Sequence, residues 1–123
     1  MLDPARTVTI FQKQPGQLSF SAGDVIFEDG KTGDIMYGII EGEVELFVNG
    51  KVIETIKKGD VFGEGALVHR EHTRASTAIA KFDSKLAYLD EERFLFVVQE
   101  TPMFALDVIR SYSDRLRRLK RSL

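Results

Sequence analysis

Cysteine is absent from the 123 residues, which removes disulfide staples, zinc–thiolate centres and cysteine nucleophiles together. Histidine is scarce, confined to His69 and His72. Two imidazoles three residues apart, beside Arg70 and Glu71, lack the third ligand and supporting shell that a metal site needs. They read as solvated loop residues; no metal, no cofactor and no catalytic triad are expected, and the chain is not expected to be an enzyme. Long apolar runs are missing too. Nothing approaches the roughly 18 consecutive apolar residues of a membrane span, and the opening MLDPARTVTI lacks the h-region of a signal peptide. The expectation is a cytoplasmic protein without membrane contact. Neither charge dominates, since 17 Lys and Arg face 19 Asp and Glu, so no global field points to nucleic acid or anionic lipid.

What is present is enough apolar residue, 43% of the chain, for one core over residues 1–123. From about residue 15 to 90 the sequence is a series of short β-like runs punctuated by turns. LSFSAGDVIFEDG gives two strands separated at Ala22-Gly23-Asp24 and closed at Asp29-Gly30. Asn49-Gly50 then stands between two alternating runs, with Val44, Leu46 and Val48 before it and Val52 and Ile56 after it, a strong hairpin signal. Period 2 in short, evenly spaced strands implies an antiparallel sandwich or barrel.

The period changes near Glu91. EERFLFVVQE reads as a helix, and Thr101-Pro102 supplies a cap and a proline for the start of a second one. Along that second helix, about residues 101–121, Ala105, Ile109, Tyr112, Leu116, Leu119 and Leu123 recur at spacings of four and three. Such a stripe either docks on the β-domain or pairs two helices. The last two turns extend past any evident core, which favours a homodimer through residues 105–123.

The stretch FGEGALVHREHTRAST, residues 62–77, holds a carboxylate, Glu64, between Gly63 and Gly65, with Arg74 ten residues on. A surface ion pair is one reading, contributing only about 0–1 kcal/mol. A ligand site is the other. The stretch connects a β-run ending at Val61-Phe62 to a strand over Ser76–Ala80, and the N-terminus of a helical turn presents unpartnered N–H groups to an anion. Arg74 adds a planar, permanently charged contact for phosphate, and Glu64 an acceptor for sugar hydroxyls. A phosphate contact beside a hydroxyl contact describes a nucleotide.

These residues carry a resemblance. Phe62-Gly63-Glu64-Gly65-Ala66-Leu67 and Arg74-Ala75-Ser76-Thr77, preceded by Lys58-Gly59-Asp60 and by Ile40-Glu41-Gly42-Glu43-Val44, resemble the cyclic-nucleotide-binding domain of catabolite-activator and kinase-regulatory proteins, over about residues 15–115. The resemblance implies an antiparallel β-roll of the double-stranded β-helix or jelly-roll kind, mainly β with C-terminal α, having about eight strands, a minor N-terminal helix, a short cassette helix and two C-terminal helices. It implies a phosphate-binding cassette in which Glu64 takes the ribose 2′-hydroxyl and Arg74 the cyclic phosphate, with Gly63, Gly65, Ala66, Ala75 and Ser76 around them. Leu46, Ile53 and Ile56 fall where such domains pack near base or sugar, although ordinary core is the preferred reading for these three. Two departures stand out. Gly65 replaces a larger apolar residue and Thr73 replaces a proline common in kinase-type domains; neither removes a ligand contact.

The implied function is a cyclic nucleotide sensor, for cAMP rather than cGMP because Ala75 lacks a hydroxyl for guanine, signalling through its C-terminal helix to an effector not named by the sequence. The rival readings are a metal enzyme, because the architecture resembles that of the cupins, and an interaction or dimerisation module that shares the fold without depending on a nucleotide. The basic run Arg115, Arg117, Arg118, Lys120 and Arg121 is read as solvation of a helix C-terminus. Without a helix-turn-helix after it, no direct DNA binding is expected.

Overall fold

A computed structural model describes residues 3–13 and 16–123. Met1, Leu2, Gln14 and Pro15, which fall inside the expected domain, lie outside the described residues. The expected β-roll is found. Among the described residues the chain runs α1 (Pro4–Phe11), β1 (Leu18–Phe20), β2 (Val25–Phe27), β3 (Ile35–Glu41), β4 (Glu43–Val48), β5 (Lys51–Lys57), β6 (Val61–Phe62), α2 (Gly65–Val68), β7 (Thr77–Ala80), β8 (Ser84–Asp90), α3 (Glu91–Glu100) and α4 (Met103–Arg121).

The strands form two antiparallel four-stranded sheets, ordered β1-β8-β3-β6 and β2-β7-β4-β5. Their turns follow local chemistry. Asn49 and Gly50 take φ of 52° and 77°, the doubly left-handed geometry of a two-residue hairpin loop, so Val48 pairs with Lys51. The long pairing of β3 with β8 sets Met36 opposite Leu89 and Ile39 opposite Leu86. Alternation then sends side chains to two cores. One lies inside the roll and contains Tyr37, Ile39, Val44, Ile56, Phe62, Ala78 and Leu86. The other joins the β1-β8-β3-β6 sheet to the helices through Val8, Met36, Leu89, Val97, Phe104 and Val108.

Helix ends are capped where the sequence permits. Asp3 Oδ1 accepts from the Arg6 N–H and Asp90 Oδ1 from the Arg93 N–H, each at 2.8 Å, and each cap satisfies an otherwise unpartnered donor. Thr101 caps differently from expectation. Its carbonyl, not a side chain, accepts from the Phe104 N–H at 2.9 Å, and the regular helix begins at Met103.

The stripe read along α4 is not the face buried in the helix-side core, although Tyr112, Leu116 and Leu119 border a hollow beside Leu46 and Ile53. Phe104, Val108, Ser111 and Arg115 are the buried positions, whereas Ile109, Tyr112, Leu116 and Leu119 are exposed and Ala105 is half-buried. Both sets repeat at spacings of four and three, so periodicity alone could not choose between them. Two of the docking positions are polar, and hydrophobic pattern reading passes over them.

The core side of α4 therefore carries the stability. Phe104→Ala, which empties a site 1% exposed, should cost about 3–5 kcal/mol, while Leu106→Ala, 49% exposed on the same helix, should stay within about 0.5 kcal/mol. Urea unfolding of both variants at low protein concentration measures the contrast, and similar losses would contradict the assigned face.

Candidate functional site

The loop after β6 turns sharply because Gly63 adopts φ of 83°, a conformation that L side chains avoid. A Cβ at Gly63 would also stand 2.9 Å from Arg74 Nη1. Glu64 then starts α2, with its carbonyl accepting from the N–H groups of Leu67 and Val68. The first N–H groups of this short turn, at Gly65 and Ala66, have no intrahelical acceptor. Gly65 is not demanded by sterics, since a Cβ there meets only His69 Cδ2 at 3.8 Å.

Arg74 is buried, 6% exposed. Its Nη1 donates to the Gly63 carbonyl at 2.8 Å and its Nη2 to the Ile35 carbonyl at 2.7 Å, and its guanidinium lies 4.1 Å from the centre of the Phe27 ring. The aromatic shelf continues through Tyr37 and Phe62, whose rings are 5.3 Å apart. Gly33 completes the cradle: a Cβ on it would fall 2.3 Å from Arg74 Nε. Burial pushes the guanidinium below its ordinary value, and Tyr37, Asp34 and Glu64 oppose that in this order. Arg74 nevertheless enters no ion pair among the described residues, and its Nε is buried without a hydrogen-bond partner.

Glu64 is equally buried, and its partner comes from α4. Arg115 Nη2 donates to Glu64 Oε1 at 2.7 Å, with both side chains under 10% exposed. Glu64 Oε2 is left buried and unpartnered. Burial raises the Glu64 carboxyl above the ordinary carboxylate value; the Arg115 charge and hydrogen bonding pull it back without cancelling the effect. One helical turn earlier, the Ser111 hydroxyl donates to Asp60 Oδ1, so α4 is tied at two points to the segment that carries the glycine-flanked carboxylate.

A cavity of about 180 Å³ brings these groups together. Gly63, Glu64, Gly65, Ala66, Arg74, Ala75 and Ser76 all line it, as do Leu46 and Ile53. Ile56 does not; it is 1% exposed in the inner core. Ile56 is thus a core residue; Leu46 packs against the same core while also bordering the cavity, and Ile53, left without a partner where the β4–β5 register shifts, borders the cavity as well. A second hollow of about 140 Å³, lined by Leu46, Ile53, Glu54, Tyr112, Arg115, Leu116 and Leu119, shares four of its residues with the first.

The loop histidines separate in role. His72 Nδ1 lies 2.8 Å from the Ala66 carbonyl, which ties α2 to the following loop, and His69 is an exposed residue at the cavity edge. Among the described residues no group of three or more His, Cys, Asp and Glu is placed to hold a metal ion, and no helix is long and apolar enough to cross a membrane. Sequence reasoning missed Arg115 because it stands in a basic run that looked merely solvating. The available signal was its place at i+4 from Ser111 and i+7 from Val108 on the docking face.

Removing one partner of a buried pair leaves the other charge without compensation, a loss of about 3–5 kcal/mol. Arg115→Ala should show it at neutral pH. Deleting the arginine also raises the Glu64 carboxyl further, so the native variant takes up a proton before its unfolded chain does. Its stability relative to the parent therefore recovers as pH falls. Urea unfolding at about pH 7 and about pH 5 checks the sign; a deficit that grows on acidification would mean that Glu64 is not the group left unpaired.

Known proteins resemble the chain in sequence and in fold. Residues 17–101 match the cyclic nucleotide-binding domain family. The cAMP-dependent protein kinase regulatory subunit of Schizosaccharomyces pombe is 43% identical over 76 residues, covering 61% of this chain and 18% of that protein. A cGMP-dependent protein kinase of Plasmodium berghei is 37% identical over 86 residues, covering 70% of this chain and 10% of that protein. The chain thus spans less than a fifth of these relatives. Among solved structures, the catabolite activator protein of Thermus thermophilus superposes with a TM-score of 0.75 at 25% identity, over 95% of this chain and 55% of that one. With the family match covering most of the chain and the buried carboxylate and arginine facing one cavity, the protein belongs to the cyclic nucleotide-binding domain family.

Proposed function

We propose that the domain senses a purine cyclic mononucleotide, with Arg74 receiving the cyclic phosphate and Glu64 the ribose 2′-hydroxyl, and that α4 transmits the binding event. The observation that carries this reading is a pair of buried, incompletely satisfied polar groups of opposite character in one cavity. Arg74 has lost water without gaining a carboxylate, and Glu64 keeps one oxygen unpartnered. Unsatisfied buried polar atoms are costly, and an anion carrying a hydroxyl would satisfy both. Gly63, Gly65, Ala66, Ala75 and Ser76 supply the close backbone approach, and Leu46 and Ile53 an apolar wall.

The route to α4 runs through Arg115. A hydroxyl bonded to Glu64 changes the electrostatic surroundings of the pair, and a ligand shifts the helix only through different affinities for its positions. Ala75, next to Arg74, offers no hydroxyl to a guanine amino group, which favours cAMP. One relative is named as a cAMP-dependent kinase subunit and another as a cGMP-dependent kinase, so kinship leaves both nucleotides open. The effector is a separate or further protein region of unassigned chemistry. An interaction module independent of nucleotide would have no use for a buried, acid-free arginine.

Arg74→Leu should weaken binding at least about tenfold, the factor set by a charge-assisted hydrogen bond of roughly 1.5–3 kcal/mol. Calorimetry with cAMP measures it, and unchanged affinity in a folded variant would remove Arg74 from the site. A 2′-deoxy cyclic nucleotide should bind the parent poorly and lose little more against Glu64→Ala, because both changes delete one interaction.

The exposed stripe Ile109, Tyr112, Leu116, Leu119 and Leu123 supports a second proposal, a homodimer through residues 105–123. Full burial of a leucine is worth roughly 1.5–3 kcal/mol, while parallel copies bring the basic residues Arg117, Arg118, Lys120 and Arg121 together. Moderate salt should therefore tighten the dimer. Sedimentation at two salt concentrations, against a chain ending at Arg115, measures this; a monomer throughout at high micromolar concentration would exclude the contact.

A further inference from the structure

His72 stands out by its backbone. Its φ is 55°, and apart from Asn49 in the β4–β5 hairpin loop no other non-glycine residue takes a positive φ among the described residues. That left-handed conformation costs an L residue free energy, and such residues persist only where their surroundings hold them. The surroundings here are the two halves of the cassette. On one side, the His72 carbonyl accepts from the Gly33 N–H and the Lys31 carbonyl from the Arg74 N–H, each at 2.8 Å, which aligns residues 72–74 with the loop before β3. On the other side, the half-buried ring reaches α2. A carbonyl oxygen only accepts, so Nδ1 carries the proton and donates to the Ala66 carbonyl at 2.8 Å. The α2 turn ends at Val68, too short to stand unaided, and this bond takes up an acceptor at its open end.

The contacts close a ring. Arg74 Nη1 returns to the carbonyl of Gly63, the residue before Glu64, while His72 joins the far part of α2 to the segment that carries Arg74. Resting on the cyclic-nucleotide reading above, we infer that His72 is a positioning residue of the site, holding Glu64 and Arg74 at the separation that one ligand must span. His72 does not line the cavity, and it acts through these neighbours. A ligand with a phosphate at one end and a hydroxyl at the other gains both contacts in full only where the two receptors already stand at that distance; otherwise binding must supply the ordering. Glycine would take this backbone at no steric cost. Histidine takes it against a cost, and what it brings in exchange is the ring that crosslinks the cassette.

Calorimetry on the full chain with cAMP and its 2′-deoxy analogue tests this. His72→Gly keeps the backbone conformation and removes the ring. It should weaken cAMP about tenfold, the upper end for one neutral hydrogen bond. The 2′-deoxy analogue, which engages the Arg74 end alone, should lose no more than about twofold in the same variant. His72→Asn should bind cAMP as the parent does, because asparagine accepts a left-handed backbone and its Nδ2 stands where Nδ1 stood. A general loosening of the fold would instead cost both nucleotides equally. Equal losses in His72→Gly, unchanged cAMP affinity in that variant, or His72→Asn as weak as His72→Gly would overturn the assignment. If His72→Gly shows no cooperative urea transition, His72→Asn decides alone, and cAMP binding about tenfold weaker than the parent's would overturn it. These outcomes leave the nucleotide reading standing so long as the parent binds cAMP, whereas a parent that binds neither nucleotide removes that reading and this inference with it.

Discussion

A carboxylate and a guanidinium, Glu64 and Arg115, meet 2.7 Å apart with both side chains under 10% exposed, and the arrangement of the site depends on that contact. Burying two charges is expensive, and mutual attraction offsets the expense only when the geometry is good. The molecule meets the condition from both sides. Gly63 turns the chain so that Glu64 points inward from the start of α2, and α4 is held in register by Phe104 and Val108 in the core and by Ser111 on Asp60. Arg115 then arrives on the same face. The pair connects the loop that would hold a sugar to the helix that would report its presence.

Arg74 is supported in a different manner. Among the described residues no acid lies within ion-pair distance of it, and two backbone carbonyls with an aromatic face hold the guanidinium instead. Carbonyl oxygens orient a cation without neutralising it, so its net charge remains available to an anion. The cradle requires close backbone approach. Gly33 meets that need on one side, and Gly63 on the other.

Much of this was legible in the sequence, for identifiable reasons. Strand alternation, Asn49-Gly50 and the change of period at Glu91 are local signals, and they located an antiparallel sandwich or barrel and both C-terminal helices, while the resemblance narrowed it to a β-roll. The motif residues Gly63 to Ala66 and Arg74 to Ser76 were gathered through the resemblance that two short contiguous segments carry. The partners supplied from a distance could not be. Arg115 is 51 residues from Glu64, and Arg118 is 64 from Glu54. Each sits in a basic run whose members look alike until the helix is rotated onto its sheet. Gly33 gave no signal, since its constraint is a side chain 41 positions later that folds across it. Ile53 is harder to place from sequence: it is left unpaired between Glu54 and Val52 in the β4–β5 pairing, and periodicity does not record bulges.

The two faces of α4 impose a final constraint. On a plain amphipathic helix the apolar stripe docks and the polar stripe is solvated. Here the docking stripe ends in Ser111 and Arg115, and the leucines of the last turns remain outside. Polar anchors are directional: a hydroxyl on Asp60 and a guanidinium on Glu64 fix the rotation of the helix, which a smooth hydrocarbon contact would leave looser. They are also the kind of contact that responds to a change in charge or hydrogen bonding next to it, whereas packed hydrocarbon does not. Asp60 and Glu64 are only four positions apart, and so are Ser111 and Arg115. The segment carrying Glu64 is therefore joined to the helix at Arg115 and again at Ser111. Under the proposed reading, a nucleotide that re-bonds Glu64 acts on the helix at the point where its position is set by polar geometry. That is where a small local change has the most leverage over the exposed leucine face beyond it.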